Sequence, residues 1–179
     1  MHNETFVLWV MGPTSAGKTT IGQHFVRDMR ADNIPAIHYD GDEIRSFFGE
    51  TLGFGREDRF RAVAMCAHLA NKSSEAGLNV VISALTANDD SRAFIRANIP
   101  NLVLTYLICP IDICVQRDSR GLYRKAREGK IDSKTLIGLD NPYPAPDNPD
   151  IVIDTSKHTS EESILILKKG LRKKGYEFL

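Results

Sequence analysis

The stretch Gly12-Pro13-Thr14-Ser15-Ala16-Gly17-Lys18-Thr19 constrains this chain more than any other. It matches the phosphate-loop pattern G-x-x-x-x-G-K-[ST] at every defined position. The apolar run 6–11 before it reads as a buried strand, and residues 17–29 after it as a helix. In that setting the chemistry follows from backbone geometry. Gly12 and Gly17 admit angles that a side chain forbids. The loop N–H groups, with Thr14, Ser15, Ala16 and Thr20 along the same bend, then form a nest for phosphate oxygens. The helix adds its positive N-terminal end. Lys18 reaches the β- and γ-phosphates, and the Thr19 hydroxyl is placed to ligate Mg²⁺. ATP with Mg²⁺ is the cofactor pair this predicts.

The rest of the chain alternates. Runs 36–39, 79–83, 102–108 and 151–154 read as further strands; 56–76, 89–98, 111–118 and 160–174 read as helices. Within 56–76 the apolar residues Phe60, Val63, Ala64, Ala67, Leu69 and Ala70 approximate one helical face. Strand–helix alternation predicts an α/β fold, a five-stranded parallel sheet with helices on both faces. Sites in such sheets lie at the carboxyl ends of the strands. With 179 residues the chain reads as one domain spanning 1–179.

Bulk properties remove several function classes. The formal charge is zero, from 23 basic and 23 acidic residues, so net charge offers no case for a nucleic-acid or membrane partner. No apolar run approaches membrane-spanning length. The start Met1-His2-Asn3-Glu4 lacks the basic, then apolar, pattern of a secretory leader. The three cysteines, Cys66, Cys109 and Cys114, have no zinc spacing and read as reduced thiols. A cytoplasmic protein is expected.

After the second strand comes Asp40-Gly41-Asp42-Glu43-Ile44-Arg45. A phosphoryl acceptor needs a carboxylate to orient its hydroxyl and accept its proton, and Mg²⁺ needs oxygen ligands. Asp40 or Asp42 suits either role, and Arg45 suits an anionic group on the acceptor. A capped helix start accounts for the same acids with no function at all. Phe54, between Gly53 and Gly55, reads as an exposed aromatic suited to stacking on a base, and Arg59 as an anion ligand. Residues 117–130 carry six basic and two acidic side chains, and residues 140–149 carry four of the eight prolines. Together, over about 117–146, they read as a cationic lid.

These motifs, taken in order, resemble the adenylylsulfate kinase family, also called APS kinase. The matching residues are Gly12–Thr19, Asp40-Gly41-Asp42 with Arg45, Leu52-Gly53-Phe54 with Asp58-Arg59, Ile82-Ser83, the run from Cys114 to Gly129, Gly138-Leu139-Asp140-Asn141-Pro142-Tyr143, and Thr155. The resemblance implies a nucleoside-kinase-like P-loop fold, usually a homodimer. It implies transfer of the ATP γ-phosphoryl to the ribose 3′-hydroxyl of a small nucleotide, adenosine 5′-phosphosulfate (APS). By that pattern Lys18, Asp42, Ser83 and Lys125 are catalytic, with Thr19 and Asp42 at the metal. Arg117 and Thr155 border the ATP base. Asp40, Asp42, Arg45, Phe54, Arg59 and Leu136 bind the acceptor. The chain departs from the family on the acceptor side. Ala84-Leu85-Thr86 replace a proline, an aromatic and an arginine; Ala62 replaces an asparagine; Leu136 replaces an aromatic. These departures support a second reading, a related kinase for the 3′-hydroxyl of another nucleotide, such as cytidine diphosphoramidate. A non-catalytic nucleotide-binding protein is a third; the carboxylate at Asp42 and the lack of an N-K-x-D guanine motif count against it and against a GTP switch.

Overall fold

The computed structural model describes residues 5–118, 120–133, 136–139 and 142–177. Met1–Glu4 of the leader reading, Ser119 of the basic run, and Asp140 and Asn141 of the family segment lie outside the described residues. Five strands form one sheet: β1 (Val7–Met11), β2 (Ala36–Asp40), β3 (Asn79–Ser83), β4 (Leu102–Ile108) and β5 (Ile151–Asp154). Their order is β2-β3-β1-β4-β5 and every pairing is parallel. Among the described residues seven α-helices accompany them: α1 (Lys18–Ala31), α2 (Gly41–Phe47), α3 (Arg56–Glu75), α4 (Asp89–Asn98), α5 (Ile111–Arg117), α6 (Leu122–Arg127) and α7 (Ser160–Lys173).

All five expected strands and all five expected helices are present, with ends shifted by at most two residues. The sheet dictates why. β1 is central and all five of its residues are buried, so its sequence is apolar throughout instead of alternating. Phe6, Leu8 and Val10 face the core shared with α1 and α7. Val7, Trp9 and Met11 face the core shared with α3. In α3 the buried positions are Ala62, Val63, Cys66, Ala67, Ala70 and Ser73, a stripe at helical spacing. Leu69, expected on that face, points outward, because it lies beyond the edge of the stripe, about a quarter of a turn from its centre.

Two helices lie outside the runs read as helix, and the first of them is the capped helix start that residues 40–45 offered. α2 follows β2 without a loop: Asp40 is its N-cap, and its Oδ1 accepts from the Asp42 N–H at 2.8 Å. Such a cap stabilises a helix by about 1 kcal/mol. α6 starts after Gly121, with the Asp118 carboxylate accepting from the N–H groups of Tyr123 and Arg124 at 3.1 and 3.0 Å. Among the described residues no helix is long and apolar enough to cross a membrane.

The register aligns the strand ends. Val10 pairs with Ser83, and Ser83 with Asp40, so the phosphate loop, Asp40 and the segment after Ser83 emerge at one edge. Across β2 and β3, the Ser83 hydroxyl donates to the Lys18 carbonyl at 3.0 Å and pairs with His38 Nε2 at 2.9 Å. This buried relay fixes the first turn of α1 to the sheet. Gly22 makes room for it: a Cβ there would stand 2.7 Å from Ser83 Oγ and 2.8 Å from the His38 ring. Gly22→Ala is expected to destabilise the protein by about 1–3 kcal/mol, the range for overpacking. For a chain of this size that lowers Tm by roughly 2–10 °C, measurable by calorimetry; an unchanged Tm would show that the relay yields freely.

Candidate active site

The phosphate loop sits where β1 ends. Gly12 packs so closely that a Cβ would stand 2.7 Å from the Leu107 carbonyl oxygen, and Gly17 has φ of 95°. Both requirements exclude other residues. Lys18 is buried, and its Nζ donates to the carbonyls of Gly12 and Pro13 at 3.0 and 2.7 Å. Burial pushes its pKa down to about 8. Neutral acceptors hold the ammonium, and a phosphate would hold it better.

A groove runs from the loop along α1. Ser15, Gly17, Lys18, Thr19, Thr20 and Arg117 line it. Arg117 donates to the Thr155 carbonyl at 2.6 Å and to its hydroxyl at 3.2 Å, and that hydroxyl donates to the Ala16 carbonyl at 3.0 Å. The expected pair Arg117 and Thr155 is therefore brought together and tied to the loop. Cys109 joins them, 3.6 Å from Arg117 Nη1. The Cys114 thiol, with Thr155 and Arg117, holds its pKa down to about 6.

A second cavity opens on the other side of Lys18. Thr14, Asp42, Arg45, Phe54, Arg59 and Leu136 contribute to its walls. Arg45 Nη2 donates to the Gly53 and Leu52 carbonyls at 2.5 and 3.3 Å, and Arg59 Nε to the Phe54 carbonyl at 2.8 Å. Both guanidiniums lie over the Phe54 ring, at 4.7 and 5.8 Å from its centroid. Phe54 remains 60% exposed. Among the described residues, Arg45 Nη1 is buried without a hydrogen-bond partner. Burial, and then the Arg45 charge, lower the Arg59 pKa. Two cations held together at a cavity wall make a site for an anion.

Lys18, Asp42 and Arg120 line both spaces. Arg120 Nη2 lies 2.6 Å from Asp42 Oδ2, both side chains about half exposed. A pair so exposed is worth about 0.2–1 kcal/mol, weak enough for a ligand to separate.

Four of the expected site residues have neighbours that the sequence does not announce. Asp40 was placed with the acceptor; its side chain instead caps α2 and accepts from the Thr19 hydroxyl at 2.5 Å, on the groove side. Asp42, expected with Thr19 at the metal, lines the same groove as Thr19, while the Thr19 hydroxyl itself bonds to Asp40. Ser83 was placed beside the transferred phosphoryl; its hydroxyl is buried against α1 and His38. Lys125 was assigned to catalysis; it is exposed on α6 and lines neither space. The buried Tyr123 pins α6 by donating from its hydroxyl to the Thr14 carbonyl at 3.0 Å, and this turns Lys125 outward. Arg120 and His38 were missed. Which cation of a basic run faces inward has no signature in spacing.

A phosphate loop at the end of a central strand, a lysine within it, and a carboxylate across a second cavity define a P-loop phosphotransferase. A family model described as "Adenylylsulphate kinase" matches residues 4–154. The chain belongs to that family. It is 35% identical over 176 residues to an adenylyl-sulfate kinase of Rippkaea orientalis, covering 98% of this chain and 96% of that one. It is 36% identical to an adenylyl-sulfate kinase of Myxococcus xanthus, covering 95% and 92%. It also matches a Sorangium cellulosum protein named "Probable bifunctional SAT/APS kinase 2" at 37% identity, spanning only 29% of that protein. In structure it resembles the Mycobacterium tuberculosis APS kinase in complex with AMPPNP and APS, with TM-score 0.86, 28% identity, and coverage of 94% and 98%. Shikimate kinase of Aquifex aeolicus, at 20% identity and TM-score 0.54, shares the fold alone.

The Lys18 geometry predicts a proton linkage. Between about pH 8 and the free-lysine value of 10.5, the unfolded chain binds more protons than the native one. The stability of the ligand-free protein therefore rises with pH across that window. A triphosphate that recharges Lys18 must take up a proton near pH 8.5. Calorimetric titration with a nucleoside triphosphate, in buffers of differing ionisation enthalpy, should show net uptake. Lys18→Arg, which cannot deprotonate, should lose it. A buffer-independent heat for the unaltered protein would refute the linkage.

Proposed function

We propose that this protein transfers the γ-phosphoryl of MgATP to the ribose 3′-hydroxyl of adenosine 5′-phosphosulfate. The observation that carries the reading is the meeting of two ligand spaces at Lys18, Asp42 and Arg120. ATP takes the groove, with its phosphates on the loop amides and its base toward Arg117 and Thr155. The acceptor takes the second cavity, with its 5′ anionic group on Arg45 and Arg59 and its base against Phe54 and Leu136. Asp42 releases Arg120 and accepts the hydroxyl proton as the 3′-oxygen attacks the γ-phosphorus. The bond from that phosphorus to the β-bridging oxygen breaks, and ADP leaves. Lys18 and the released Arg120 hold the charge that spreads over the phosphoryl oxygens.

Thr19 and Asp40 offer two adjacent oxygen ligands, which fits Mg²⁺, an ion that uses few protein ligands and completes its shell with phosphate and water. Among the described residues no group of three or more His, Cys, Asp or Glu competes as a protein-only metal cage. When bound, Mg²⁺ neutralises charge on the β- and γ-phosphates. The reading carries a homodimer and a cytoplasmic location. The three free thiols support the latter, and sedimentation at twice the chain mass would support the former.

A second reading, with a cytidine nucleotide as acceptor, is favoured by one feature. Ala62, Leu85 and Leu136 give the cavity apolar walls and few groups to read a purine edge. Purified protein with MgATP and coupled ADP detection decides between them. Turnover with adenosine phosphosulfate and none with cytidine diphosphoramidate is the expected result; the reverse replaces the first reading with the second. Asp42→Asn should lower kcat by about 10²–10⁴, the usual size of a general-base contribution, and leave the ATP KM within about two-fold. Unchanged turnover in that variant would remove Asp42 from the reaction.

A further inference from the structure

The cavity wall formed by residues 84–88 adopts a costly shape. Thr86 has φ of 42°, a left-handed conformation that a β-branched residue rarely takes and that costs on the order of 1–2 kcal/mol. Such strain persists only where the surroundings over-determine it. Here three side chains do so. Trp9 Nε1 donates to the Thr86 hydroxyl at 2.9 Å. Arg92 Nε donates to the Thr86 carbonyl at 3.0 Å. The Tyr143 hydroxyl donates to the Leu85 carbonyl at 2.5 Å and reaches the Thr86 carbonyl at 3.2 Å.

Arg92 and Tyr143 also belong to one another. Arg92 is only 6% exposed. Its Nη1 donates to the Ala145 carbonyl at 3.1 Å, its Nη2 to the Pro144 carbonyl at 2.5 Å, and its guanidinium lies 5.5 Å from the Tyr143 ring centroid. The Asp89 carboxylate is 3.5 Å away but almost wholly exposed, so carbonyls and a ring carry most of the burden of the buried charge. A guanidinium fork reaches the wall and residues 144 and 145 together; an ammonium cannot. Further along, Arg96 donates to the Asp147 and Asn148 carbonyls. The proline-rich segment is thereby strapped across α4. Its upstream neighbour Gly138 lies against Pro13 of the phosphate loop, and Leu136 lines the cavity.

We propose that Arg92, with Tyr143, is a positioning residue for acceptor recognition: by clamping the proline-rich strap to the strained wall at Thr86, it sets the shape of the acceptor cavity without touching the acceptor. The inference rests on the kinase reading for the existence of an acceptor, and on no particular acceptor base. The clamp residues line no part of the ATP groove, and Tyr143 alone of the pair also reaches the phosphate loop, at the Gly12 backbone, so acceptor and donor binding should separate most cleanly in Arg92→Lys.

The test is steady-state kinetics of Arg92→Lys and Tyr143→Phe with whichever nucleotide acceptor the unaltered protein turns over. It is paired with amide hydrogen exchange over residues 84–88 and 142–148. The expected result is an acceptor KM raised about ten-fold in Arg92→Lys and about three-fold in Tyr143→Phe, with ATP KM within about two-fold, and faster exchange in both segments. Acceptor and ATP KM rising together, or kinetics and exchange both unchanged, would overturn the proposal. If Arg92→Lys fails to fold, Tyr143→Phe, which loses one hydroxyl and no charge, gives the decision alone. If no acceptor is turned over by the unaltered protein, the kinase reading falls. The exchange measurement then still decides the clamp: coupled loosening of both segments supports it, and loosening of one alone refutes it.

Discussion

The chemistry of this molecule depends on where β1 ends. The strand is central and wholly buried, and its last residue delivers the chain into a loop packed against Leu107 with no room for a side chain at Gly12. The sheet cannot shift this point without opening both cores. The phosphate nest is thus attached to the most rigid part of the fold, and the groups that must converge on it are brought by the ends of parallel strands: Asp40 after β2, the wall after β3, Thr155 after β5. Rigidity here serves orientation, which supplies much of the barrier reduction in phosphoryl transfer.

Around that fixed point, charge is held in arrangements that are satisfied but not deeply so. Lys18 rests on neutral carbonyls and is depressed toward neutrality. Asp42 rests on a half-exposed arginine. Arg45 keeps one buried nitrogen unpartnered while it shares the Phe54 ring with Arg59. An anionic ligand improves the surroundings of Lys18 and Arg45 and draws the half-exposed Arg120 from Asp42 at little cost. In contrast, the side chains that only build the frame, Ser83 against Lys18 and His38 and Tyr123 against Thr14, are buried and hydrogen-bonded. The difference separates working residues from supporting ones more clearly than residue type does.

The acceptor side shows how far a family pattern reaches. The motif residues Asp42, Arg45, Phe54 and Arg59 converge as the pattern implies. Where the chain departs from it, at Ala84-Leu85-Thr86, the structure supplies another solution. A buried arginine from α4 and a tyrosine from the proline segment hold the wall. These partners lie 6 and 58 residues from the carbonyls they bond, and neither carries a local signal of that role.

The fold class, the order of the strands and main helices, and the phosphate loop were legible in the sequence. Each rests on local physics: apolar runs that must be buried, glycines where the backbone turns sharply, acids at a helix start. Which of two neighbouring acids bonds to Thr19 and which to Arg120 was not legible. Nor was which of six cations enters the cleft, or that Ser83 turns away from it. Those choices depend on the direction of a side chain after a cap forms, and on the rotation of α6 once Tyr123 is buried. Both follow from contacts between residues far apart in the chain, and only the tertiary structure decides them.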